Sequence, residues 1–379
     1  MDEDRLKMKN ICTAFIKPLK YPHQCIPLSL PEFYSMENSR TEISSLGEFG
    51  LIEHLTRNFE IQNASTILSV GDDAAVIDHF GKQTVISSDL LLEGIHFDLM
   101  YMPLKHLGYK SVVVNLSDIY AMNATPSQIL INIGISNRFS VESLNEFYEG
   151  VYAACEKYGV DLIGGDTSTS LKGFVISVTA IGEASPDKFV KRSTANKGDL
   201  ICVSGYLGGA FLGLTLLERE KKIYLENPQI QPDLEGEDYI VGRLLKPEAR
   251  KDIIEFFEQN NIVPTAMMDI SDGLSSETLH ICKQSNVGCR IYEEKIPLME
   301  NSRLAAFKFG LDPTVCALNG GEEYELLFTL KQEDYDKIVL NEAISAIGYI
   351  TDADEKCKLL SKGGNSFDII AQGWNAFGA

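Results

Sequence analysis

Ala266-Met267-Met268-Asp269-Ile270-Ser271-Asp272-Gly273-Leu274 is the stretch on which the reading of this 379-residue chain turns. An apolar run with strand character, Ala266–Ile270, carries one carboxylate near its end and then breaks at Ser-Asp-Gly. Helical periodicity follows over Leu274–Gln284. A strand end is rigid and the loop beyond it is exposed, so a carboxylate there can reach a ligand without being buried unpaired. If Asp272 starts the helix, it acts near the N-cap while Asp269 points the opposite way.

Four other segments place Asp at the end of an apolar strand or beside small residues: Val70-Gly71-Asp72-Asp73-Ala74-Ala75, Val85-Ile86-Ser87-Ser88-Asp89, Val114-Asn115-Leu116-Ser117-Asp118-Ile119 and Leu162-Ile163-Gly164-Gly165-Asp166-Thr167. Taken singly, each reads as a turn or a helix cap, because Asp, Ser and Gly dominate such positions. Taken together they say more. Few basic residues lie near them in sequence, and carboxylates tolerated in one cleft imply cations. Magnesium suits such a set, since it takes a carboxylate or two plus phosphate oxygens and water. Gly71, Gly165 and Gly273 would let backbone approach a phosphate closely.

The formal net charge is −20, from 54 acidic and 34 basic residues. Such a surface repels nucleic acid, so no nucleic-acid partner is expected. No apolar run reaches the ~18 residues that span a bilayer, and Asp2, Glu3 and Asp4 stand where a secretory signal would be basic and then apolar. A cytoplasmic protein without a membrane partner is expected. The eight cysteines include no Cys-x-x-Cys pair and read as reduced, mostly buried small hydrophobes rather than a zinc cluster.

Length favours more than one domain. Residues 1–43, interrupted by Pro18, Pro22, Pro27 and Pro31, read as a weakly structured extension. A helix over Glu48–Phe59 opens an N-terminal domain, 44–185. Strands are expected at Thr66–Val70, Ala74–Ile77, Thr84–Ser87, Gln128–Ile135, Asp161–Ile163 and Phe174–Ile181, with helices at Leu107–Met122 and Val141–Tyr158. The order lacks the regular alternation of a doubly wound sheet. A C-terminal domain, 186–379, starts with strand Leu200–Ser204 and a glycine-rich turn into a helix. An acidic surface loop at 223–237 follows. Strands Gly288–Tyr292, Glu323–Leu330 and Ile344–Ile350 come later, with a helix near Glu333–Glu342. The class is α/β (α+β), a mixed sheet with helices followed by an α/β domain.

Several other residues carry alternatives. His96, after Gly94-Ile95, reads by spacing alone as a structural histidine. Arg192, in Lys191-Arg192-Ser193, reads as a solvated charge or as a guanidinium able to meet a phosphate bidentately. The turn Gly205-Tyr206-Leu207-Gly208-Gly209-Ala210 resembles a phosphate cradle but also a tight packing turn. No P-loop, protein-kinase or nucleophile-elbow signature occurs, so a nucleotide-using enzyme here would depend on metals.

Read in order, Gly47-Glu48-Phe49-Gly50-Leu51-Ile52, Gly71-Asp72-Asp73-Ala74-Ala75, Ser87-Ser88-Asp89, Gly94-Ile95-His96-Phe97, Asn115-Leu116-Ser117-Asp118, Gly164-Gly165-Asp166-Thr167, Asp269-Ile270-Ser271-Asp272-Gly273-Leu274 and Gly320-Gly321-Glu322-Glu323-Tyr324-Glu325-Leu326 resemble the thiamine-monophosphate kinases. That family sits in the superfamily of aminoimidazole ribonucleotide synthetase and selenophosphate synthetase, and the likeness covers Gly47 to about Phe377. It implies a two-domain aminoimidazole ribonucleotide synthetase-like fold, a homodimer paired through the N-terminal sheets, and transfer of the γ-phosphate of ATP to thiamine monophosphate. By the same resemblance Asp73, Ser87, Ser88, Asp89, Asp118, Asp166, Asp269 and Asp272 would hold several Mg²⁺ ions. Gly165, Asp166, Arg192, Ser271 and Tyr148 would contact ATP, and His96, Glu322 and Trp374 the thiamine phosphate. Two anions must meet, so metal-assisted direct in-line transfer without a phospho-enzyme is the expected mechanism. The alternatives are another ATP-using enzyme of the superfamily or a non-catalytic nucleotide-binding module. Selenophosphate synthetase would carry a reactive Cys in a glycine-rich N-terminal loop that this sequence lacks, and ligands retained at every motif argue against the module.

Overall fold

The computed structural model describes residues 66–68, 71–79, 81–136 and 138–373. The expected extension over 1–43, the Gly47 motif with its helix, and Trp374 lie outside the described residues.

Two mixed sheets organise the chain. The first takes β1 (Thr66–Leu68), β2 (Ala75–His79), β3 (Lys82–Leu92), β4 (Thr125–Ile135), β5 (Asp161–Thr169) and β6 (Val175–Ala184) in the order β1-β2-β3-β6-β4-β5. The second takes β7 (Leu200–Ser204), β8 (Ala266–Ile270), β9 (Val287–Tyr292), β10 (Glu325–Leu330), β11 (Ile344–Asp352), β12 (Cys357–Leu360) and β13 (Ser366–Asp368) in the order β13-β12-β9-β11-β7-β10-β8. Only β4–β5 and β9–β12 pair in parallel; the remaining ladders are antiparallel. The mixed α/β class expected from the sequence is the one observed. No described helix is long and apolar enough to cross a membrane.

Helix α1 (Leu104–Ala121) lies on one face of the first sheet, and α2 (Val141–Tyr158) packs on α1. Along β3 the residues facing α1 alternate with outward ones, as a half-covered sheet requires: Val85, Ser87 and Leu91 are buried, whereas Ser88 and Leu90 are exposed. The two helices approach through reciprocal glycines. A Cβ on Gly108 would stand 1.9 Å from the Phe147 carbonyl oxygen, and one on Gly150 would stand 1.9 Å from that of Lys105. Ser140 caps α2 by accepting from the Ser143 N–H, and Gly159 ends it in the left-handed conformation.

α1 is buried over most of its length because its other side meets the second sheet at β8. One apolar core therefore runs through both sheets, joining Leu107, Leu116 and Ile131 with Met267, Leu326 and Phe328. The remaining labelled helices are α3 (Gly209–Glu226), α4 (Asp238–Leu245), α5 (Lys251–Gln259) and α6 (Leu274–Ser285).

Several expectations need correction. The acidic segment 223–237 is not loop throughout, since α3 continues to Glu226 before the exposed stretch begins. The helix expected near Glu333–Glu342 is a 3-10 turn at Gln332–Asp334 and a single helical turn, Tyr335–Ile338. β3 and β5 run well past their expected ends, so Asp89 and Asp166 lie within strands rather than at strand ends.

Candidate active site

Three carboxylates from distant segments converge. Asp73 stands just before β2, Asp118 in the last turn of α1, and Asp269 near the end of β8, and oxygens of all three lie within 4.8 Å of one another. The first two belong to segments around the first sheet and the third to the second, so the cluster sits where α1 meets β8.

Hydroxyl and amide groups fix the acids in place. Ser87 Oγ donates to Asp118 Oδ2 at 2.5 Å, and Ser117 Oγ donates to Asp269 Oδ2 at 2.7 Å. Asn115 Oδ1 accepts from the Asp89 N–H at 2.9 Å, tying β3 to α1 beside them. Asp89 is close enough to raise Asp118 through its charge. Asp118 and Asp269 are thus each held by a hydroxyl from a neighbouring element.

The electrostatics are those of a site in which negative charge outweighs positive. Burial, and then the charges of Asp89, Asp269 and Asp73, push Asp118 well above the usual carboxylate range. Burial, followed by Asp73, raises Asp269 as well. Burial and the adjacent Asp73 lift Asp72 to about 7.

Arg192 is the basic residue that enters this group. Its Nε donates to Asp73 Oδ2 at 2.6 Å, its Nη2 pairs with Asp73 Oδ1, and its N–H donates to Asp72 Oδ2 at 3.2 Å. The solvated-charge reading of Arg192 is therefore wrong. Its guanidinium side chain is only 13% exposed.

Oxygen-only donors that repel one another suit a hard divalent cation such as magnesium. Asp272 is half-buried beyond β8, and its N–H donates to Glu277 Oε1 at 3.0 Å. Glu277 is fully buried, its second oxygen has no partner, and burial together with Asp272 raises it well above the normal range.

The remaining candidates fall in two places. On the near side, the loop after residue 319 folds onto the end of β8, where the Glu322 N–H donates to the Ser271 carbonyl at 2.7 Å. Glu322 takes a left-handed φ of 66° and its carboxylate pairs with Lys110, a lysine of α1 that is 1% exposed. On the far side lie Ser88 and Asp166. The row Asp89–Val178–Ile131–Gly165 runs across the sheet on the α1 side, and the next row, Leu90–Ser177–Asn132–Asp166, faces outward with Leu90 52% exposed. Ser88 shares that outer face and donates to the Val178 carbonyl at 3.1 Å. Asp166 is three strands from β3, roughly 14 Å at ~4.8 Å per strand, so it does not join Asp73, Asp118 and Asp269.

Gly165 has a structural reason of its own. Its φ is 151°, and a Cβ there would stand 1.7 Å from the Ile131 carbonyl oxygen. His96 sits in the exposed turn after β3, where its Nδ1 accepts from the Leu92 N–H at 3.0 Å. Tyr148 is half-buried on α2 against the rings of Phe147 and Tyr152. Sequence reasoning missed Asn115, Ser117 and Lys110 as site residues. Asn115 and Ser117 stood inside a quoted motif, and Lys110 was visible as a cation within the apolar helix Leu107–Val114.

Comparison with known proteins follows the same lines. The family model for the AIR synthase related protein N-terminal domain matches residues 71–184. A thiamine-monophosphate kinase of Aquifex aeolicus (strain VF5) is 36% identical over 294 residues, 78% of this chain and 89% of that protein. One from Bacillus subtilis (strain 168) is 32% identical over 341 residues, covering 88% of this chain and 100% of its own length. Among solved structures, AaThiL complexed with AMPPCP and TMP superposes with a TM-score of 0.76 at 32% identity, covering 89% of this chain and 99% of that one.

Proposed function

The chain belongs to the thiamine-monophosphate kinase family, and from that premise we propose that it transfers the γ-phosphate of ATP to the phosphate of thiamine monophosphate, giving thiamine diphosphate. The observation that carries the reading is the meeting of Asp73, Asp118 and Asp269 with their oxygens within 4.8 Å. A cluster of this kind fits an enzyme whose two substrates are both anions.

Asp73, Asp118 and Asp269 would hold magnesium, with Ser87 and Asp89 beside them and Asp272 at the far end of the β8 loop. Bound there, magnesium would neutralise phosphate charge that otherwise keeps the substrates apart, an opposition of ~4 kcal/mol for each pair of unit charges ~4 Å apart at an effective dielectric of ~20. Ser117 and Ser87 keep the carboxylates aimed inward. Arg192, already forked toward carboxylate oxygens, has the planar donor geometry that a phosphate of ATP also matches. Ser271, the Gly165 backbone and Asp166 on β5, and Tyr148 on α2 would supply further nucleotide contacts. Glu322, held by Lys110, and His96 would position the thiamine phosphate, together with Trp374.

An oxygen of the substrate phosphate forms the new bond to the γ-phosphorus as the bond to ADP breaks. No side-chain nucleophile is needed, and no phospho-enzyme is formed. The placement of Ser88 and Asp166 on the outer face favours a homodimer in which a second copy covers that face, since β5 is exposed along nearly its whole length. We place the enzyme in the cytoplasm.

The test is a coupled assay for thiamine diphosphate formed from thiamine monophosphate, ATP and Mg²⁺, run beside Asp118→Ala. Turnover should be lost in the variant while ATP-independent folding is retained. Full activity in Asp118→Ala would overturn the site.

A further inference from the structure

Cysteine spacing argued against a metal cluster, yet the fold gathers Cys282, Cys289 and Cys357, whose sulfurs all lie within 4.8 Å of one another. They come from three elements: Cys282 from α6, Cys289 from β9 and Cys357 from the first position of β12. Sequence separations of several to dozens of residues hid the grouping, because parallel pairing places Cys357 directly beside Cys289. The acidic cluster shares none of these residues.

The positions are rigid. The Cys289 N–H donates to the Lys356 carbonyl at 3.2 Å, and the Ile369 N–H donates to the Cys357 carbonyl at 3.1 Å. Arg290 Nη1 donates to the carbonyls of Cys289, Glu355 and Lys356, clamping the turn between β11 and β12 onto β9. Cys282 and Cys289 are buried at 3% and 0% exposure, and Cys357 is half-buried, so the group has one side toward solvent. Three thiolates bound to one ion at ~2.3 Å stand about 4 Å apart. The observed spread needs side-chain adjustment of under about 1 Å to reach that arrangement.

The geometry points to a three-thiolate site for a soft, thiophilic d¹⁰ cation, zinc(II) or copper(I). Hard magnesium is not expected to compete there. Binding forms three sulfur–metal bonds and releases the protons of the thiols to solvent; no oxidant is involved. Copper(I) accepts three sulfurs, whereas zinc takes a water as its fourth ligand on the Cys357 side. The Arg290 guanidinium lies near enough to act on Cys357 through its charge, and it offsets the negative charge left on the complex. The ion would pin α6 to the sheet edge at the end of that helix opposite the Ser271-Asp272-Gly273 loop.

The full chain, purified under reducing conditions and stripped with a chelator, is to be titrated separately with Zn²⁺, Co²⁺ and Cu⁺ in excess Mg²⁺. Bound metal is measured by elemental analysis, sulfur-to-cobalt charge-transfer absorption and competition with a chromogenic chelator. We expect one equivalent of zinc or copper per chain, cobalt–thiolate bands, and a higher melting temperature with metal. Cys357→Ser, at the half-buried position, should lose the equivalent and the bands while keeping its far-ultraviolet circular dichroism. Cys282→Ala is the second variant, Cys155→Ser retains binding, and Asp269→Asn retains it too. Sub-stoichiometric uptake of both metals overturns the assignment, as does uptake unchanged in Cys357→Ser and Cys282→Ala.

Discussion

Two groups of buried carboxylates in this protein are treated oppositely. On the second sheet, Glu323 and Glu325 have side chains that are 0% and 3% exposed, and each meets an arginine. Arg243 Nη2 lies 2.8 Å from Glu323 Oε2 and 3.1 Å from Glu325 Oε1, and Arg250 also pairs with Glu325. The Ala210 N–H takes up the other Glu323 oxygen, and Ser204 Oγ donates to the Glu325 oxygen that Arg250 also meets. In the acidic cluster, Arg192 answers Asp73 while Asp118 and Asp269 receive only a serine hydroxyl each. The first region balances its own charge and so serves the fold. The second leaves its charge to be balanced from outside, the pattern expected of a site that serves chemistry.

The sharpest break of this contrast is Asp269→Asn. The amide oxygen still accepts from Ser117, but a charge is lost from the cluster. Turnover should fall roughly 10²–10³-fold, the range seen when an electrostatic stabiliser of a transition state is removed, while the metal-free melting temperature holds or rises. A steady-state assay beside a thermal melt in chelator checks both halves; a large drop in stability would mean that Asp269 is structural.

Arg243→Met should behave in reverse. It strands Glu323 in the interior and leaves Glu325 to Arg250 alone, and breaking such a buried pair costs about 3–5 kcal/mol. Urea unfolding would show that loss, while kcat per folded molecule stays near the parent value. A selective loss of kcat without loss of stability would erase the distinction between the two regions.

A smaller effect separates them by pH. Asp72 and Asp269 are raised from 3.8 to about 7, so without metal the folded protein holds protons that the unfolded chain has released. Their contribution is therefore fully present below pH ~4 and is lost as pH rises through about 7. Bound at the cluster, Mg²⁺ would replace those protons. The rise in melting temperature on adding Mg²⁺ should be a few degrees and larger at pH 7.5 than at pH 5. Equal shifts at both pH values would say that the carboxylates do not bind the ion.

Much of this was readable from residues alone, and particular elements show where reading stopped. Helix Val141–Tyr158 was placed to the residue, because its periodicity is bounded by Ser140 and Gly159. The strand Ala266–Ile270 and the helix after it were equally plain. β5 was cut short at Ile163 because Gly164 and Gly165 lower strand propensity; the parallel ladder with β4 carries it on regardless. β3 was cut at Ser87 because Ser88 and Asp89 are polar, yet one faces solvent and the other the acidic cluster. α3 was cut by charged residues that in fact line an exposed helical face. At the site, the acids stood out by type. Their donors did not, since Ser117 and Asn115 acquire roles only when α1 is laid against β3 and β8. Arg192 lies 119 residues from Asp73, and no local pattern could join them.

The hydrogen bond from Ser117 to Asp269 spans the seam between the two sheets. A chain severed in the connection between β6 and β7 would give one fragment holding Asp73 and Asp118 and another holding Asp269, neither with a complete constellation. Such pieces, coexpressed, would report on their own reassembly: catalysis would appear only in cells where they had found each other.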